Sequence, residues 1–122
     1  MSVEENKAVF NRLIEEVFNN GKLSVIPELI DPDFVVHVTP EYGGQEGLRQ
    51  HVIQTRQMFP DVHITIDQMV AEGDMVGWYA TLVGTHLPTG KRVSMPSIGI
   101  SRIANGREIE RWQMVDNSAL NG

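Results

Sequence analysis

Asn105-Gly106-Arg107-Glu108-Ile109-Glu110-Arg111-Trp112-Gln113-Met114-Val115-Asp116 is the stretch on which the fold turns. Asn-Gly between two apolar-rich runs is the strongest short-range hairpin signal, because both residues tolerate the positive φ of a type I′ turn. The run after it alternates as a strand does, which places Trp112, Met114 and Asp116 on one face. An indole and a thioether mark that face as buried. A carboxylate beside them needs a partner or a purpose, since buried Asp is rare unless paired. Desolvation would raise its pKa and make it a stronger base. Alternatively, Asp116 lies just past the strand end and bonds to Asn117, Ser118 or nearby backbone. The segment alone leaves both readings open.

Working backwards, Arg92 to Ile103 reads as a long strand, with Pro96 marking an irregular or edge position. Leu87-Pro-Thr-Gly90 is a turn, and Met75 to His86 is a second long strand. Glu72-Gly73-Asp74 is another turn. Val62 to Ala71 alternates, with Val62, Ile64, Ile66 and Gln68 assigned to one face. Three hairpins thus link four strands into an antiparallel meander. Before it, Ser2-Val-Glu-Glu5 has the spacing of a capping box. Phe10, Leu13, Ile14, Val17 and Phe18 follow at helical spacing up to Gly21. Leu23 to Ile30 reads as a short helix ended by Asp31-Pro32-Asp33, Phe34 to Val38 as a strand and Pro40 to Gly44 as a loop. Gln45 to Met58 is a third helix. Helices gathered before an antiparallel sheet indicate an α+β fold. The expected form is a cone: a curved sheet covered by helices, enclosing a pocket, with Gly77, Gly84, Pro96 and Gly99 as candidate bends.

The 122 residues suit one domain, residues 1–122. Ten Lys and Arg against sixteen Asp and Glu give a net charge of −6. An acidic chain without a basic stripe argues against nucleic acid and anionic membrane as partners. The absence of cysteine excludes thiol nucleophiles, disulfides and thiolate metal sites. No signal-peptide pattern or membrane-spanning run is visible, so a cytoplasmic location is the expectation.

Besides Asp116, two histidines are candidates for chemistry. His37 falls in the Phe34–Val38 strand, on the face of Val35 and opposite Phe34, Val36 and Val38. His86 ends the Met75–His86 strand, at a pocket mouth or as a turn residue. His51 and His63 read as surface positions. The four histidines lack metal-binding spacing, and no metal site is expected. Glu41 to Gly47 is a glycine-rich approach to the third helix rather than a phosphate loop. Trp78, Tyr79, Met95, Trp112 and Met114 are the large strand residues expected around a pocket for a flat apolar ligand.

Several segments together resemble the SnoaL-like polyketide cyclases and their ester-cyclase relatives, members of the nuclear transport factor 2-like superfamily. They are Glu-Gly-Leu-Arg-Gln-His, Phe-Pro-Asp-Val-His-Ile-Thr-Ile, Val-Ala-Glu-Gly-Asp-Met-Val, Gly-Thr-His, Pro-Thr-Gly-Lys-Arg-Val and Glu-Ile-Glu-Arg-Trp-Gln-Met-Val-Asp. The resemblance runs from about Asn6 to Asp116. It implies a cone-shaped α+β barrel, a homodimer formed through sheet faces, and cofactor-free closure of a small, mostly apolar carbonyl compound. Asp116 matches the family's general base, and His37 and His86 match positions from which an acid partner would come. The chain departs from the family around Leu87-Pro88, where the loop is short, and after Asp116, where Asn117-Ser-Ala-Leu follows. The fold also hosts non-catalytic ligand binders, dimerisation modules and epoxide hydrolases. An epoxide hydrolase would need an Asp-Arg-Asp relay, which Arg111, on the opposite strand face from Asp116, does not provide.

Overall fold

In the computed structural model, which describes residues 2–38 and 41–121, one six-stranded sheet carries helices on one face. Helix α1 (Val3–Arg12) opens with the capping box: Ser2 Oγ accepts from the Glu5 amide and Glu5 returns the bond. The helix widens into a π-helical segment, Leu13–Asn19, that buries Leu13, Ile14, Val17 and Phe18 together. Gly21 ends it at φ 70°, with its amide on the Val17 carbonyl. A 3₁₀ turn (Leu23–Val25) leads to α2 (Ile26–Leu29), where Pro27 occupies the tolerated first turn. Helix α3 spans Gly44–Met58 and presses Leu48 and Val52 into the core. Pro40, in the expected loop, lies outside the described residues.

The strands are β1 (Ile30–His37), β2 (Tyr42–Gly43), β3 (His63–Glu72), β4 (Met75–His86), β5 (Lys91–Ala104) and β6 (Arg107–Val115). Their order is β2-β1-β6-β5-β4-β3. The four-stranded meander is as the turns dictated, and Asn105 and Gly106 both have positive φ (53° and 79°). Three features exceed the expectation. Tyr42–Gly43, within the expected loop, pairs with β1 as the short strand β2. β1 starts at Ile30, within the segment assigned to a helix, and it lies parallel to β6.

The irregularities are not at the expected prolines and glycines. β4 and β5 pair without interruption through Gly77, Gly84, Pro96 and Gly99. Register shifts occur instead at Ile66/Gln68, Arg102/Ile103 and Ile30/Val35. The first reverses part of the β3 assignment: past it, Met69 and Ala71 pack on the core, while Gln68 and Val70 join the outer face. Pro96 is accommodated because β6 pairing stops at Ser97↔Val115. The Pro96 carbonyl then accepts from the Asp116 amide, and the nitrogen that lacks a proton faces that same vacated side.

The core lies between the helices and the inner sheet face, where Phe10 stacks on Trp78 at 5.0 Å. The Trp78 indole also lies across Gly99. A methyl group there would stand 2.5 Å from both the ring and the Trp112 carbonyl. Gly99→Ala should therefore lower stability by about 1–3 kcal/mol through overpacking, measured by urea denaturation; an unchanged midpoint would show that the ring moves aside freely.

Candidate functional site

β6 divides the molecule's two faces. A shift that leaves Ile109 unpaired turns both Glu108 and Arg111 inward, although strict alternation would separate them. Arg111 Nε and Nη2 donate to the two Glu108 carboxylate oxygens at 2.9 and 2.7 Å. Ser101 Oγ donates to Glu108, and Trp78 Nε1 donates to Ser101 Oγ at 3.2 Å. The guanidinium lies 5.8 and 5.6 Å from the ring centres of Phe10 and Phe34. Its remaining nitrogen, Nη1, donates to Gln113 Oε1 at 3.1 Å.

Above this network is an interior cavity of about 300 Å³ between helices and sheet. Phe10, Ile14, Trp78 and Met95 supply apolar wall, and Arg111, Gln113 and His51 supply polar groups. A second space of about 930 Å³ lies between α3 and the end of β6. The two share His51, Gln113, Val115 and Asn117. The outer space, the vestibule, adjoins the inner one along these residues.

His51 stacks on Tyr42 at 5.1 Å. Burial, assisted by the nearby Arg111 charge, pulls its pKa down to about 4. The imidazole is therefore neutral at pH 7, with one nitrogen to donate and one to accept. This corrects the reading of His51 as a surface residue. His51 and Thr55, one helical turn apart on α3, both line the interior cavity.

The expected site residues divide between the faces. Trp78 and Met95 line the interior cavity. Tyr79, Trp112 and Met114 lie on the opposite, outer face, where Trp112 is 37% and Met114 77% exposed. The Trp112–Met114–Asp116 face is therefore not the buried one. With Val70, Ile98 and Ile100 these residues rim an apolar depression of about 520 Å³. Asp116 itself is exposed, just past β6. It accepts from the Ser118 amide at 3.0 Å, and that bond holds its carboxyl below the usual range. The raised pKa expected of a desolvated base is not found. Arg111 is on the opposite face from Asp116, as the alternation implied.

His37 also points outward. It stacks on Trp112 at 5.1 Å, and its two nitrogens meet Glu41 at 3.0 Å and Glu110 at 2.9 Å. His86 ends β4, with Nδ1 2.8 Å from Thr89 Oγ1 and its ring against Phe59. Among the described residues no three His, Asp or Glu side chains gather as metal ligands.

A profile of SnoaL-like polyketide cyclases matches residues 8–121. The chain belongs to the SnoaL-like polyketide cyclase family. Among solved structures it is similar to wild-type IdmH from Streptomyces antibioticus, a proposed polyketide cyclase, at 30% identity over 95% of both chains, with a TM-score of 0.84. It is also similar to AclR from Streptomyces galilaeus, a proposed hydroxylase, at 25% identity over 98% of this chain and 94% of the other (TM-score 0.84). TsrD from Streptomyces laurentii, 20% identical over 99% of this chain and 95% of its own, shares the fold with a TM-score of 0.89. The comparison with curated proteins gives no match. Family and neighbours support a cyclase- or isomerase-type function. Among the described residues no helix is long and apolar enough to cross a membrane.

The His37 contacts carry a pH dependence. Its bond to Glu110, helped by Glu41, raises its pKa above the ordinary 6.5. The charged form is favoured in the folded protein, so this tie stabilises fully below about pH 6.5 and fades as pH rises through the raised value. The Tm difference between wild type and Glu110→Gln should therefore shrink from about pH 6 to about pH 9. A difference independent of pH would show that the tie does not depend on the His37 proton.

Proposed function

We propose that the interior cavity binds a small, mostly apolar carbonyl compound and that the protein closes or isomerises it without a cofactor. The observation that carries this reading is the apolar cavity with neutral hydrogen-bonding groups, His51 and Gln113, at its opening. In the proposed reaction Asp116 takes a proton from a carbon flanked by carbonyls. The enolate charge spreads onto oxygen, where a neutral donor holds it. The carbanion then bonds to a second carbonyl carbon, whose oxygen recovers a proton from Asp116. His51 is better placed than His37 or His86 to be the donor, since neither of those lines the interior cavity. Asp116 stands next to Asn117, which lines both spaces. Asp116 lines neither space and lies on the outer face, so reaching the substrate requires its carboxylate to release the Ser118 amide and swing around the end of β6 to the cavity side. The covered carboxylate then becomes a stronger base as water leaves. Arg111 is committed to Glu108, so an epoxide-hydrolase relay is not proposed.

Asp116→Asn should reduce turnover of a β-dicarbonyl substrate by about 10²–10⁴-fold, measured under single-turnover conditions, with ligand affinity retained. Full turnover by this variant would end the general-base assignment. The exposed, Ser118-bound state of Asp116 favours a second reading, a binder without chemistry. In that case wild type and Asp116→Asn bind the same β-dicarbonyl panel equally and neither turns it over.

We also propose that a second copy covers the outer apolar depression, since an exposed patch containing Val70, Ile98, Ile100 and Met114 is unusual for a monomer. The pair Ile98→Glu with Met114→Glu should convert a dimer to a monomer in sedimentation velocity. A wild-type protein that is monomeric at every concentration would refute it.

A further inference from the structure

The vestibule differs chemically from the cavity it adjoins. Its α3 wall is a single helical stripe, Gly47, Gln50, His51 and Gln54, at the i, i+3, i+4 and i+7 positions. Facing it from β6 and beyond are Gln113 and Asn117, with the apolar Met114 and Val115 between them. Four carboxamides and an imidazole thus converge on one space. Among the described residues none of its lining is Lys, Arg, Asp or Glu. His51 is neutral at physiological pH, and both ring nitrogens of His37, at the rim, are already engaged by Glu41 and Glu110. Carboxamides donate and accept equally well, and they offer no charge to pair with an ion.

Size adds a second constraint. The interior cavity, about 300 Å³, is at the lower end of small-molecule pockets. A ligand longer than this cavity would extend past the His51–Gln113 side that it shares with the vestibule. Gln113 is held there because Arg111 Nη1 fixes its Oε1, which sets the amide's orientation from below. Gln50 is already bonded to Glu46, whereas Gln54 has no such partner on its own helix.

We infer that the vestibule is a second subsite, selecting substrates with an uncharged, hydroxyl- or amide-bearing portion attached to the apolar ring that enters the cavity. The substrate class is then an elongated, neutral, amphipathic carbonyl compound. Compounds bearing a carboxylate or ammonium in that portion are rejected, because its charge would lose water and gain no counter-ion. This inference rests on the interior cavity being the ligand site.

The test uses naphthalene-based β-diketones that differ only in a tail: none, a diol, a primary amide, a carboxylate or an ammonium. Affinity is read by titration calorimetry on wild type and on Gln54→Ala, an exposed position. The diol and amide tails should each tighten binding by about tenfold over the bare ring, and the charged tails should weaken it. Gln54→Ala should reduce the diol and amide advantage by threefold or more, by about the strength of one hydrogen bond, while leaving the bare ring unaffected. If the bare ring binds but neutral tails add nothing, or charged tails bind as well as neutral ones, the subsite is wrong and the cavity reading stands. If no compound binds, or binding survives Ala80→Phe in the cavity wall, the cavity reading itself fails and the subsite with it.

Discussion

The buried pairing of Arg111 with Glu108 is the constraint to which the rest of the structure answers. Two charges removed from water must satisfy each other, and breaking such a pair typically costs about 3–5 kcal/mol. Here the requirement is met by the bidentate contact, by Ser101 and by the rings of Phe10 and Phe34. Those partners come from α1, β1, β5 and β6. Satisfying one ion pair therefore fixes how the first helix, the parallel strand and the last hairpin meet. It also fixes Gln113 and, through Ser101, the indole of Trp78, two elements of the cavity wall.

Much of this architecture was legible in the chain. The capping box and Asn105-Gly106 each have one dominant local solution, and the structure adopts it, whereas the apolar helical repeat is helical but widens to a π-helix from Leu13. Long-range choices were less visible. That β1 lies parallel to β6 depends on where the intervening chain returns, and no local pattern records that. The apolar character of Ile30 suited either a helix end or a strand start.

The division of the site was misread for a definite physical reason. Trp112 and Met114 are the residues most expected of a buried face, and Glu108 and Arg111 of an exposed one. An apolar outer face inverts the first expectation, and the shift beside Ile109 with mutual neutralisation inverts the second. A strand with both faces partly covered loses the polar–apolar contrast from which orientation is judged. Trp78 and Met95 face the interior cavity, whereas Tyr79, next to Trp78 on β4, faces outward as strand alternation requires.

The alternation along the end of β6 has an evolutionary consequence. Gln113 and Val115 reach the interior cavity, while Trp112 and most of Met114 face the outer depression, Met114 also bordering the vestibule. Neighbouring codons thus encode two surfaces separated by the thickness of a sheet. Selection can alter what the molecule accepts inside without altering what it meets outside, and the reverse. A short chain gains two largely independent axes of diversification from one strand, which suits a scaffold recruited repeatedly for different ligands.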